Sequence, residues 1–146
     1  MKIRRLQQGE EEIYSEVVQI MASVLGKTYP QHFDYLLNQH AITTEKTFAA
    51  FIDGKLVGGA IYDIDWDSMN LTGKYAAVLP EFQGRGVGKG LVRSLELFAK
   101  KSGFKGISVD IKTPKTGEST VSEWMQRQGY QEFGRLGEQV YLNKKF

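Results

Sequence analysis

The 146 residues are 41% apolar, 25% charged and 12% aromatic, the make-up of one compact domain with a real core and not of a disordered chain. Nineteen Lys and Arg against seventeen Asp and Glu leave a net charge of +2, too weak a field to argue for a nucleic-acid partner. The lack of cysteine removes disulfide staples, thiolate metal sites and a cysteine nucleophile together, and no metal is expected. The first 14 residues hold no apolar stretch of signal-peptide length, and no segment reaches the ~18 apolar residues that span a bilayer. A cytoplasmic protein with no membrane partner is the expectation, and residues 1–146 are read as a single domain.

Lys2–Leu6 reads as a short first strand. From Glu10 to Leu25 the apolar residues Ile13, Val17, Ile20, Met21 and Val24 recur at helical spacing, with three glutamates in the first turn and Gly26 as the stop. A second amphipathic stretch after Pro30 sets Phe33, Leu36, Leu37 and His40 on one face and suggests a helical hairpin. Thr47–Ile52 and Lys55–Trp66 flank Asp53–Gly54, a strong hairpin signal. In the second strand Ala60, Tyr62, Ile64 and Trp66 alternate with Ile61, Asp63, Asp65 and Asp67, so three carboxylates are expected on one wet face. Asn70–Val78 is the next strand, and Pro80 ends it.

Leu91, Val92, Leu95, Phe98 and Ala99 mark an amphipathic helix over Gly88–Lys101, stopped at Ser102–Gly103 and followed by a strand over Lys105–Ile111. Strand, helix and strand in this order make a βαβ unit, whose two strands run parallel. Val121, Trp124 and Met125 indicate a short last helix, and Tyr130–Phe133 and Gln139–Asn143 are the closing strands.

The segment between the fourth strand and the long helix carries glycine at 84, 86 and 88. Glycines there let the chain turn tightly and converge its N–H groups on an anion at a positive helix end, with Arg85 and Lys89 beside it. A phosphate or pyrophosphate is the natural guest, with a glycine-rich structural turn that binds nothing as the plain alternative. The spacing is that of neither a Walker loop nor a dinucleotide fingerprint.

Val78, Pro80, Gln83, Gly84, Gly86 and Gly88 match position for position the signature of the GNAT superfamily of acetyl-CoA-dependent N-acetyltransferases, which the chain also resembles in its order of elements. The resemblance implies an α/β (α+β) fold with a mixed, mostly antiparallel sheet of about six to seven strands, helices on both faces and a central βαβ unit. It implies acetyl-CoA as acyl donor, held through Gln83, Gly84, Arg85, Gly86, Val87, Gly88 and Lys89. The pantetheine arm would lie along Ala76 and Val78, with an amide near Ala76 or Ala77 polarising the thioester carbonyl.

The implied activity is transfer of an acetyl group directly to a primary amine of a small molecule or peptide. The amine needs a proton acceptor; Asp110 on the fifth strand and Asp65 are the candidates, each with a structural or solvated reading beside it. The family's frequent strand-four glutamate is replaced by Thr72, and the tyrosine of its last helix by Met125. Ser119 or Ser122 is then a candidate to protonate the leaving thiolate, against helix capping as the plain alternative. Lys112 and Lys115 either contact coenzyme phosphates or face water. His32, Tyr29 and Tyr35 are candidates for touching substrate, and a homodimer through the last strands is a further expectation. The competing reading is a non-catalytic acyl-CoA-binding or sensing module.

Overall fold

A computed structural model describes residues 1–26, 44–112 and 121–146. The expected second helix with His40, the residues Tyr29, His32 and Tyr35, and the segment with Lys115 and Ser119 lie outside the described residues. The elements are β1 (Lys2–Arg5), α1 (Glu11–Leu25), β2 (Thr47–Ile52), β3 (Lys55–Asp65), β4 (Asn70–Val78), α2 (Val87–Lys101), β5 (Gly106–Lys112), α3 (Val121–Arg127), β6 (Gln131–Leu136) and β7 (Gln139–Lys145). The strands form one seven-stranded sheet in the order β1-β2-β3-β4-β5-β7-β6. The β4–β5 pair is parallel, as the βαβ order requires, and the pairs β1–β2, β2–β3, β5–β7 and β7–β6 are antiparallel.

The residues divide into two compact units, one of Met1–Tyr62 with Tyr75–Leu97 and one of Asp63–Lys74 with Phe98–Phe146. In the first, Tyr14, Val17, Val18 and Met21 of α1 are fully buried with Leu6 and pack with Ala49, Ile61 and Ala77. Each such side chain contributes roughly 1.5–3 kcal/mol on burial. The helix can sit this close because Gly59 has no side chain, since a Cβ there would stand 2.6 Å from Val17 Cγ1 and 2.8 Å from the Phe48 carbonyl oxygen. Gly90 of α2 lies against Ile3. Ile3 pairs with Ala50, and Ala50 with Gly58. The start of α2 therefore covers the face of β1–β3 opposite to α1.

The Asp53–Gly54 hairpin forms as expected, with both turn residues at positive φ (50° and 79°), the conformation of a type I′ turn. In the second unit both helices end alike. Gly103 (φ 81°) donates to the Lys100 carbonyl and Phe104 to that of Ala99, while Gly129 (φ 97°) donates to Gln126 and Tyr130 to Met125. These are Schellman ends, each closed by a buried aromatic ring, Phe104 or Tyr130.

Gly26 stops α1 as expected, at a right-handed φ of −59° and with its N–H donating to Ala22 O. Other expectations need correction. Glu10 precedes α1 and does not add to its first turn; its carboxylate takes two hydrogen bonds from Arg4, at 2.8 and 2.7 Å, and one from the Gln7 N–H. β3 ends at Asp65, leaving Trp66 outside the strand and 67% exposed. Asp65 itself ends the strand, its Oδ1 accepting from the amides of Asp67 (3.1 Å) and Ser68 (3.4 Å). The long helix begins at Val87, one residue before the expected start. β6 begins at Gln131 and runs to Leu136, because Tyr130 is taken up in the helix end.

Candidate active site

The loop between β4 and α2 is built by short-range hydrogen bonds. The Leu79 N–H donates to Val57 O (2.9 Å), tying the loop's start to β3. Pro80–Phe82 form one 3₁₀ turn, in which Phe82 donates to Leu79 O and Gln83 to Pro80 O. The Gln83 side chain folds back and donates from Nε2 to Val78 O at 3.0 Å. Gln83 is thus a brace for the loop, its N–H and its side chain both engaged.

After this brace the chain takes positive φ at Gly84 (80°) and again at Gly86 (84°). A Cβ at either position would meet nothing within 4 Å, so the requirement for glycine is conformational and the space above the loop is open. Gly90 is the first residue of α2 to bond back, from its N–H to Gly86 O at 2.9 Å. The amides of Val87, Gly88 and Lys89 therefore have no partner further back in the helix and point out of its positive end. Three amides beside two left-handed glycines make a cradle that fits a diphosphate. Arg85 and Lys89 are exposed. The Arg85 guanidinium rests over the Phe82 ring, 5.2 Å from its centroid, and Lys55 Nζ lies over the same ring at 5.3 Å. Lys55 is a residue that sequence reasoning missed, because only the hairpin brings it to Phe82.

Just before the loop, Ala77 is buried while Ala76 is exposed and Val78 half-buried. A Cβ on Gly58 would stand 2.6 Å from Ala77 O, so this part of β4 lies tightly against β3. An open groove of about 300 Å³ is lined by Glu16, Gln19, Ile20 and Ser23 of α1 with Leu56 and Leu79.

In the second unit the parallel β4–β5 register runs from Asn70↔Gly106 to Gly73↔Val109. Asp110 is the next residue of β5, exposed, and opposite Tyr141 of β7. It stands on the face of β5 away from Val109, whose partner Leu142 is fully buried. The Asp65 carboxyl is held below its usual range by hydrogen bonds from Ser68 first and the Asp67 amide last. Ser122 and Met125 of α3 are buried, and Gln126 Nε2 donates to Ser122 Oγ at 3.4 Å. Asp110 and Asp65 belong to one unit and the glycine loop to the other.

The sequence profile of the acetyltransferase (GNAT) family matches residues 12–118, from α1 through the glycine loop and past β5. The chain belongs to the GNAT family. Acetyl transfer is the activity of that family, and acetyl-coenzyme A its standard donor. Solved structures share the GNAT fold over almost the whole chain. An aminoglycoside 6′-N-acetyltransferase complexed with coenzyme A superposes with a TM-score of 0.79 at 15% identity, covering 99% of this chain and 97% of that one. The PaiA N-acetyltransferase from Thermoplasma acidophilum, also with coenzyme A, gives 0.73 at 18% identity over 99% and 98%. Ard1 from Thermoplasma volcanium gives 0.76 at 12% over 99% and 96%. No curated protein matches this GNAT chain by sequence. Among the described residues no helix is long and apolar enough to cross a membrane, and no group of His, Cys, Asp or Glu is arranged to hold a metal ion.

Proposed function

We propose that the chain is an N-acetyltransferase that grips the diphosphate of acetyl-CoA on the amides of Val87, Gly88 and Lys89 and passes the acetyl group directly to a primary amine of a small molecule or peptide. The observation that carries this reading is the pair of left-handed glycines, 84 and 86, set before a helix whose first three amides point outward. In the reaction the amine nitrogen attacks the thioester carbonyl, the C–N bond forms, the C–S bond breaks, the amine gives up a proton and the departing thiolate gains one. Ala76, Ala77 and Val78 supply the backbone groups beside the donor's arm, and an amide of this stretch stabilises the oxyanion.

Asp110 is the proposed proton acceptor. It is the first residue of β5 past the last pair with β4, and it is exposed, whereas the Asp65 carboxylate is occupied in bracing a turn. An amine of pKa ~10.4 must lose its proton before it attacks, so a positioned acceptor is worth about 10²-fold or more. The thiolate is proposed to take its proton from solvent or from Ser119. A homodimer belongs to the same reading, since β6 is the outer strand of the sheet and exposes Phe133 and Leu136; sedimentation equilibrium checks it.

Titration calorimetry with acetyl-CoA and CoA, followed by release of free CoA thiol with a panel of small amines and peptides, tests the proposal. No heat of binding for either ligand would end it. The second reading, a binding or sensing module without turnover, is favoured by Met125, buried where relatives carry a tyrosine, and by Thr72 in place of a glutamate. Saturable binding with no thiol release across the panel would select it.

A further inference from the structure

Two like charges converge on one ring at the edge of the glycine loop. Lys55 Nζ and the Arg85 guanidinium each lie over Phe82, 5.3 and 5.2 Å from its centroid, and neither has a carboxylate within ion-pair distance among the described residues. Cations over an aromatic face are attracted to it by about 0.5–1 kcal/mol at exposed sites, while they repel one another. An anion held beside Phe82 within reach of both would be attracted by each.

The backbone fixes this cluster. The Asp53–Gly54 turn sets Lys55 at the first position of β3, and the Leu79–Val57 hydrogen bond fastens the loop to β3 two residues further on. Phe82 is locked in the 3₁₀ turn by its own bond to Leu79 O. Arg85 stands between the two left-handed glycines. The cluster is therefore a fixed neighbour of the amide cradle and not part of it.

Coenzyme A carries two kinds of anion: a diphosphate, and a phosphomonoester on the ribose 3′ position. Main-chain amides at a helix start suit the diphosphate. A phosphomonoester carries a charge of about −1.5 to −2 near neutral pH and is best met by cationic side chains, arginine by its fork and lysine as a point charge. We propose that Lys55 and Arg85, held in place by Phe82, receive the 3′-phosphate and give the protein a preference for coenzyme A over 3′-dephospho-coenzyme A. Phe82 acts here as a positioning residue and Lys55 as a specificity determinant. The inference rests on the reading of the loop as a coenzyme A site.

Calorimetric titration of the full chain with CoA and with 3′-dephospho-CoA tests it. The parent is expected to prefer CoA by about tenfold or more, the size of one good charge-assisted contact. Lys55→Met and Phe82→Leu should each bring the preference down to about threefold or less, with dephospho-CoA affinity changed by less than about twofold, and Lys55→Arg should restore it. A thermal melt of Phe82→Leu within a few degrees of the parent shows that its loss of preference is not unfolding; should that variant melt early, the exposed Lys55→Met carries the test. Equal affinity of the parent for both ligands, or an equal loss of both in Lys55→Met, overturns the inference. Failure of the loop reading is separate and visible, because a Gly86→Val variant that still bound both ligands as the parent does would remove the cradle and not the preference.

Discussion

Gly86 combines two properties that separate folding from binding at a single residue. It sits at φ 84° with nothing within 4 Å of its missing Cβ. Gly86→Val has room for its side chain but must leave the left-handed region or pay about 1–2 kcal/mol to stay there. The expected outcome is a melting point lowered by several degrees in a protein that still folds, with coenzyme A binding weakened at least about 100-fold, because misaligned amides no longer converge. Calorimetry alongside a thermal melt reads both numbers.

Glu10 offers a residue-level test of electrostatics away from the site. Hydrogen bonds from Arg4, and next from the Gln7 amide, hold its carboxyl down to about 2 from an ordinary 4.5. A carboxyl whose folded pKa is depressed stabilises the fold above the unfolded pKa and loses that contribution as pH falls through the folded one. Both side chains are partly solvated (34% and 22% exposed), so the contribution is set at no more than about 1 kcal/mol. Glu10→Gln should therefore destabilise the protein at pH 7, and the difference from the parent should shrink between pH 4.5 and about 2. Denaturant melts across that range check it.

At the scale of elements, close approach of backbones decides what is tolerated. Gly59→Ala would drive a Cβ to 2.6 Å from Val17 and 2.8 Å from a main-chain oxygen of the neighbouring strand, so either α1 must lift or β3 must shift. A cost of about 1–3 kcal/mol is expected by chemical denaturation. The elements were broadly legible beforehand. Asp53–Gly54 announced the hairpin, because a turn with two positive φ values has few acceptable residues. Gly103 announced the end of α2 because the left-handed φ of a helix end (81°) is one that glycine takes without strain. Trp66 was misplaced, since alternation carries no information about the hydrogen bonds by which Asp65 closes the strand. Gly26 ends α1 as expected but without a left-handed turn, because glycine permits that region without requiring it.

For the whole molecule, three continuous elements cross between the two compact units, with β3, β4 and α2 each contributing residues to both. Severing a strand or helix at such a crossing would cost its hydrogen bonds, so the single domain read from the sequence is retained as a proposal. Calorimetry should show one transition with van't Hoff and calorimetric enthalpies in agreement. Saturating coenzyme A at a hundredfold excess over its dissociation constant should stabilise that transition by ~2.7 kcal/mol. Asp110→Asn should leave this stabilisation intact while lowering kcat by about 10²-fold, which steady-state thiol release reads.

The glycine loop was open to reading from residues alone because its requirement is local: dihedral freedom and amide direction depend on a few consecutive positions. The same holds for the order of strands and helices, which periodicity and turn chemistry fix along the chain. The ring that gathers Lys55 and Arg85, the turn that occupies Asp65, and the pairing that sets Asp110 past the end of the parallel ladder were decided by tertiary structure. Each joins residues far apart in sequence or depends on hydrogen-bond partners, and neither distance in space nor partner choice is encoded in a pattern of residue types.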